Sequence, residues 1–138
     1  MTETFLMELA DIQPSQLYIS SRKLKSVMKN FASKPSLMDP IPIKKLGEKT
    51  VFVDGHTRAF AALLHRFPKV PVYWEDEELD WEAYEICVTW CLEDEIYTIA
   101  DLKNRVVSDQ EYKKLWYERC AKMQKELEAK RKLQESRV

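Results

Sequence analysis

The order of apolar and polar residues divides the chain into short segments of two different periods. Thr50-Val51-Phe52-Val53 is a β-branched and aromatic run that stops at Asp54-Gly55. Beyond that stop Phe60, Leu63, Leu64 and Phe67 recur at the spacing of one helix face. The stretch reads strand, tight turn, helix. Ahead of it, Ile41-Pro42-Ile43-Lys44-Lys45-Leu46 and the Thr50 run flank Gly47-Glu48-Lys49, the pattern of a β-hairpin. Pro42 places the first of these strands at an edge or near its start. After the helix, Val70-Pro71-Val72-Tyr73-Trp74 is a further strand. Strand, helix and strand have the length of a compact crossover unit here, which predicts a mixed sheet.

The flanking segments follow the same logic. Residues 5–9 predict a short strand, and Asp11-Ile12-Gln13-Pro14-Ser15 a loop, because Pro14 disfavours helix at Gln13. The extended piece Leu17-Tyr18-Ile19 leads to Ser20 or Ser21 as the cap of a helix with Leu24, Val27, Met28 and Phe31 on one face. Asp80 caps a helix whose stripe is Ala83, Ile86, Cys87, Trp90 and Cys91. Thr98-x-x-Asp101 and Ser108-x-x-Glu111 are capping-box starts for a short helix and a long one. The apolar side of the long helix is Tyr112, Leu115, Trp116, Cys120, Met123 and Leu127. Past Leu127 only Leu133 interrupts a charged tail, so that end projects, frays or meets a partner.

These elements predict an α/β (α+β) chain with a small mixed sheet and packed helices. The core lies over residues 1–75, and a helical extension over residues 76–138 packs on the same domain with its last residues projecting. A length of 138 residues, 45% hydrophobic and 33% charged, suits one domain with a real core. There is no apolar run long enough to span a membrane, and Met1-Thr2-Glu3-Thr4 lacks a secretory pattern, so a cytoplasmic protein is expected. Cys87, Cys91 and Cys120 have no disulfide-framework spacing. Zinc binding together with a histidine is the sharper alternative for them, but Cys87 and Cys91 lie on the apolar stripe, and core packing accounts for them.

The net charge of −1 gives no global attraction to nucleic acid. Its distribution is uneven, with eight bases against two acids over residues 22–49, and ten acids and no base over residues 75–95. A solvated surface explains such runs, and opposite patches are the sharper alternative.

The turn at Asp54-Gly55 carries the candidate chemistry. A strand-to-helix junction aims the unpaired N–H groups of the first helical turn, and the positive end of the helix dipole, at whatever lies beyond the strand. That is an anion site, and one of only two glycines in the chain stands at it.

Ile41-Pro42-Ile43, Val51-Phe52-Val53-Asp54-Gly55-His56-Thr57-Arg58-Ala59-Phe60-Ala61-Ala62 and Val70-Pro71-Val72 together resemble the ParB N-terminal/sulfiredoxin-like superfamily, in particular small members with an Asp-Gly-His-His-Arg signature. Asp11-Ile12-Gln13-Pro14-Ser15-Gln16 resembles the family's opening strand and following loop. The resemblance covers residues 5–75 and implies a site that holds nucleotide phosphates: ATP, ADP or CTP with Mg²⁺. Gly55, His56 and Thr57 would offer donors, Arg58 would pair with phosphate oxygens, and Ser15 and Gln16 would lie across the site. Asp54 would hold Mg²⁺, orient His56 or cap the helix. Asp54 and His56 are the candidate catalytic residues, with a structural hydrogen bond between them as the plain alternative for His56.

Laying Arg58 on the sulfiredoxin arginine puts His56 where the reactive cysteine belongs, which argues against sulfinic acid reduction. ParB proteins carry Gly-Glu-Arg-Arg and a further DNA-reading domain for which this chain has no room. Serine kinases of the superfamily use a glutamate where Ser15-Gln16 stands. The resemblance therefore implies a nucleotide-binding or phosphate-binding protein, extending to a Mg²⁺-dependent phosphotransferase or nucleotide hydrolase. The alternative is a non-catalytic interaction module of the chromosome-partition or DNA-associated type, with DNA as a partner or a homodimer formed through the C-terminal helix.

Overall fold

In the computed structural model of the chain, residues 3–137 are described. Met1, Thr2 and Val138 lie outside them, and with them half of the N-terminal stretch read above. Four strands form the main sheet in the order β1 (Phe5–Glu8), β5 (Lys69–Trp74), β3 (Ile41–Leu46), β4 (Lys49–Phe52). β1 runs antiparallel to β5, β5 parallel to β3, and β3 antiparallel to β4, so the sheet is mixed as expected. Leu46 pairs with Lys49 around a two-residue turn, and Gly47 takes the φ of +62° that this turn demands of its first residue.

One expectation about this sheet needs correction. The strand, helix and strand around Asp54-Gly55 are not a parallel crossover. β4 is antiparallel to β3, whereas β5 is parallel to β3 on its other side. The parallel pair is β3 with β5, reached through the hairpin and the helix. Pro42 sits near the start of its strand, the second of the two placements expected for it, in a strand that is internal to the sheet. The proline is tolerated because it is the second residue, opposite Tyr73, where its carbonyl still accepts from the Val53 N–H at 3.0 Å.

The helices are α1 (Ser21–Met28), α2 (His56–Leu64), α3 (Trp81–Glu93), α4 (Asp109–Tyr112) and α5 (Glu118–Glu135). Ser20 caps α1 by accepting from the Lys23 N–H, and Asp80 caps α3 by accepting from Ala83. Both capping boxes form, the first opening a short 3₁₀ turn (Ile99–Leu102), the second opening α4. A second, two-stranded parallel sheet pairs β2 (Ile19–Ser20) with β6 (Val106–Val107). The region read as purely helical thus contributes a strand to the first half. The core is likewise continuous across both halves: Ile41, Phe52 and Phe60 pack in one cluster with Ile99, Leu102 and Met123.

Between α4 and α5 the helix widens into a π-helical turn (Lys113–Tyr117). The buried row becomes Tyr112, Trp116, Met123 and Leu127, with Cys120 half-buried. Leu115, expected on that side, falls on the flank and is 38% exposed. The charged tail does not simply project. Arg131 reaches back to α3, where its guanidinium donates to both Asp80 carboxylate oxygens at 3.1 and 2.8 Å and to Glu82 at 2.9 Å.

Helices α2 and α3 end alike. Phe67 N–H reaches Ala62 O and Arg66 N–H reaches Leu63 O after α2, while Ile96 reaches Cys91 O and Glu95 reaches Leu92 O after α3. This is the Schellman arrangement, and the left-handed position that favours glycine is held by Arg66 (φ 61°) and Glu95 (φ 60°).

Candidate functional site

Strand β4 delivers the chain to Asp54-Gly55 with Val53 pinned from both sides, its N–H on Pro42 O and its carbonyl accepting the Tyr84 hydroxyl at 3.0 Å. Gly55 is the N-cap of α2, with φ +78° and no side chain to satisfy the first turn. A Cβ there would come within 2.9 Å of Arg58 Nη2 and 3.2 Å of Ile41 Cγ2, so another residue would strain the dihedral and push the guanidinium aside. Intrahelical bonding starts with the Ala59 N–H on Gly55 O at 2.9 Å. The N–H groups of His56, Thr57 and Arg58 precede it and have no helix carbonyl to bond.

That turn opens onto a cleft of about 430 Å³. One wall is residues 54–58 and Gln16; the other is α1, through Arg22, Lys23, Ser26 and Val27; Tyr112 closes one end. Three of the lining side chains are cations, and Asp54, which is exposed, is the one carboxylate. Arg58 is half-buried and already partly engaged, its Nη1 donating to the carbonyls of Asp39 (3.1 Å) and Pro40 (3.0 Å). It ties the loop before β3 to the helix start. Arg22 is held by Asp109 at 3.1 Å, and Lys23 lies over the Tyr112 and Tyr117 rings with its ammonium on the Tyr117 hydroxyl. A groove of about 440 Å³ between α3 and α5 is as large and also carries three cations, Arg119, Lys122 and Lys130, but its floor is Ile86, Trp90, Met123 and Leu127, and α5 continues there from the π-helical turn without a free helix start.

His56 behaves differently from either reading of it. It is buried, 4% exposed, against the Phe52 ring, and its Nε2 accepts the Ser15 backbone N–H at 3.0 Å rather than pairing with Asp54. Burial pulls its pKa down to about 4, against which the Asp54 charge works only partly. The imidazole is therefore neutral near pH 7 with its Nε2 lone pair occupied, and what it does is fix the loop at Ser15 against the start of α2. Ser15 itself is buried, its hydroxyl donating to Phe52 O at 2.7 Å. Gln16 does border the cleft, its amide donating to Tyr18 O. The sequence reading thus places Asp54, Gly55, His56, Thr57, Arg58 and Gln16 at one cleft, with Ser15 supporting it from behind. It missed Arg22, Lys23 and Ser26, which lay in plain view as part of the basic run and whose spacing puts Arg22 and Ser26 one helical turn apart.

Behind the cleft, on the other side of His56 and Gln16, lies a smaller cavity of about 240 Å³ bordered by Tyr84, Cys87, Trp116 and Cys120. The spacing of Cys87 and Cys91 does not make them a pair: Cys87 contacts Cys120, and the Cys91 thiol donates to Gln16 O at 3.6 Å. No cluster of three or more metal-ligating side chains occurs among the described residues.

Comparison with known proteins adds to the fold only. Neither a scan against protein-family models nor a search of curated proteins finds a match. Among solved structures the chain is similar to protein Atu1540 from Agrobacterium tumefaciens, at 13% identity and a TM-score of 0.52, over 74% of this chain. The match spans 62% of that protein's length. The chain's own helices and mixed sheet are of the α+β class. No helix among the described residues is long and apolar enough to cross a membrane.

Proposed function

We propose that the chain binds a phosphate-bearing small molecule, in the leading reading a nucleotide, with a phosphate over the first turn of α2. The observation that carries this is the convergence of an uncapped helix start with Arg22, Lys23 and Arg58 around one cleft. Backbone N–H groups and the helix dipole favour an anion there, and guanidinium forks suit phosphate oxygens. Gly55 also lets the Arg58 guanidinium lie close over the turn, where a Cβ would meet its Nη2 at 2.9 Å.

This reading keeps the ParB N-terminal/sulfiredoxin-like resemblance and its ligands, ATP, ADP or CTP. Mg²⁺ fits such a site in the form it commonly takes, held mainly by phosphates and water, with Asp54 as its protein carboxylate. His56 acts as a positioning residue for the loop at Ser15 and Gln16. The extension to a Mg²⁺-dependent phosphotransferase or hydrolase rests on Asp54 alone, since it is the one carboxylate bordering the cleft. A cytoplasmic location belongs to the same proposal.

Calorimetric titration with ATP, ADP and CTP, each with Mg²⁺, tests it. Binding of at least one is expected, weakened tenfold or more by Arg58→Ala and by Lys23→Ala. The second variant leaves the loop contacts of Arg58 in place. No binding, or affinity indifferent to both substitutions, refutes it.

The second reading, an interaction module related to chromosome partition, draws on the tail of α5, where Leu133 is 56% exposed among charges and offers a homodimer contact. For DNA the basic run is a weaker platform, because its cations are scattered. Arg22 and Lys23 border the cleft, while Lys44 lies over the Trp81 ring beside the acidic segment. DNA binding with a steep salt dependence that survives Arg58→Ala would favour this reading over the first.

A further inference from the structure

Cys87 on α3 and Cys120 on α5 are far apart in sequence but lie side by side at the margin of the core, where both border the smaller cavity. Cys87 is 8% exposed, whereas Cys120 is only half-buried. Gln124, exposed one turn further along α5, stands at the same cavity, and about 240 Å³ admits a small molecule of a few heavy atoms. Arg119 lies next to Cys120 in sequence, with its guanidinium stacked 4.2 Å from the Trp90 ring centre. The pair thus joins one thiol of the core to one that is reachable, beside a cation.

We propose that Cys120 and Cys87 form a dithiol that is oxidised by small hydroperoxides, Cys120 attacking and Cys87 resolving. The Cys120 thiolate attacks one peroxide oxygen. The O–O bond breaks, and its electron pair leaves on the other oxygen, which takes up a proton to become water or an alcohol. Cys120 is then a sulfenic acid. Cys87 gives up its proton and attacks the Cys120 sulfur, the S–S bond forms, and the departing hydroxide takes that proton as a second molecule of water. Two thiols and one hydroperoxide thus become a disulfide, an alcohol or water, and water; the sulfurs lose the two electrons that the peroxide gains. An external dithiol reverses the change.

The division of roles follows from exposure, since Cys120 is the reachable thiol and Cys87 the buried one. The neighbouring Cys87 side chain, together with the Arg119 charge, lowers the Cys120 pKa against its partial burial. Contact with Cys120, then burial, pushes the Cys87 thiol far up, so it is not the attacking group. Once Cys120 is a neutral sulfenic acid, the thiolate that kept Cys87 protonated is gone. Cys91 is buried and committed to Gln16 O, and its thiol is pushed up to about 12 by burial, so it stays out of the exchange.

The test uses the reduced full-length chain and hydrogen peroxide, followed by alkylation and peptide mapping by mass spectrometry. An intramolecular Cys87–Cys120 link with Cys91 still alkylatable is expected. In Cys87→Ser, dimedone should trap a sulfenic acid at Cys120; in Cys120→Ser neither product should appear. Three titratable thiols after peroxide, a link that contains Cys91, links between chains alone, or dimedone labelling at Cys87 would each overturn the proposal. The wild-type measurement needs no variant to fold and does not depend on the ligand of the cleft.

Discussion

Lowering the pH should destabilise this fold through one residue, His56, before its carboxylates matter. In the unfolded chain an imidazole takes a proton at the ordinary value of 6.5, whereas in the fold His56 does so only at about 4. Above pH 6.5 neither state carries that proton, so the full stability of the buried neutral ring is present. Between the two values the unfolded chain binds it and the folded chain does not, so stability falls as the pH falls. At about 1.4 kcal/mol per pH unit, the loss reaches about 2 kcal/mol by pH 5 and about 3 kcal/mol by pH 4. That is a large part of the stability of an ordinary domain. The control is His56→Gln, whose amide oxygen can accept the Ser15 N–H in place of Nε2 but does not titrate. Urea midpoints would be measured for both proteins at pH 7.5, 6.0 and 5.0. Wild type should lose about 2 kcal/mol over that span while the variant stays nearly level. Parallel loss in both proteins would show that His56 is not the group responsible. The Asp80 and Asp109 carboxyls, held low by Arg131 and Arg22, give up their stabilisation only at lower pH, and in both proteins alike.

Other substitutions test the geometry of the turn and of the helix ends. Gly55→Ala forces a Cβ against Arg58 and Ile41 and an unfavourable φ. It should cost roughly 1–3 kcal/mol in chemical denaturation and weaken any ligand held by Arg58. Glu95→Gly, by contrast, relieves a left-handed residue at the end of α3 and should raise the melting temperature, with a gain of about 1 kcal/mol. A lower melting temperature would contradict the Schellman assignment. Arg131→Ala removes a two-pronged contact whose partners are more than a third exposed. It should leave the urea midpoint almost unchanged, yet amide exchange over residues 128–137 should quicken while the sheet is unaffected.

What could be read in the sequence was what is decided within a few residues. Ser20, Asp80, Thr98 and Ser108 cap because a short polar side chain reaches the N–H three positions on, and Gly47 and Gly55 turn because little else tolerates a positive φ. The cleft-facing row at 54–58 followed from the same local chemistry. What lay beyond it depended on pairings set by the whole fold. The β2–β6 pair is two residues long, too short to leave a period, and its strands stand far apart in the chain. The relation of β4 to β5 depends on which side of β3 each one joins, which the strand lengths do not specify. A histidine beside an aspartate suggested a local pair, but the Ser15 N–H, brought from the first loop, took the imidazole instead. Cys87 looked toward Cys91 one turn away until α5 brought Cys120 against it. For the same reason Arg22 and Lys23 read as surface charge until α1 lay beside α2.

His56 and Gln16 face the cleft on one side and the thiol-lined cavity on the other, so the two spaces share a wall. Thermodynamic linkage makes that wall reciprocal. By whatever factor a Cys87–Cys120 bond alters the affinity of the cleft for its ligand, saturating the cleft alters the dithiol–disulfide equilibrium by the same factor. A redox titration run with and without ligand therefore measures the rigidity of one imidazole and one amide, and a factor of one would mean that the wall does not move.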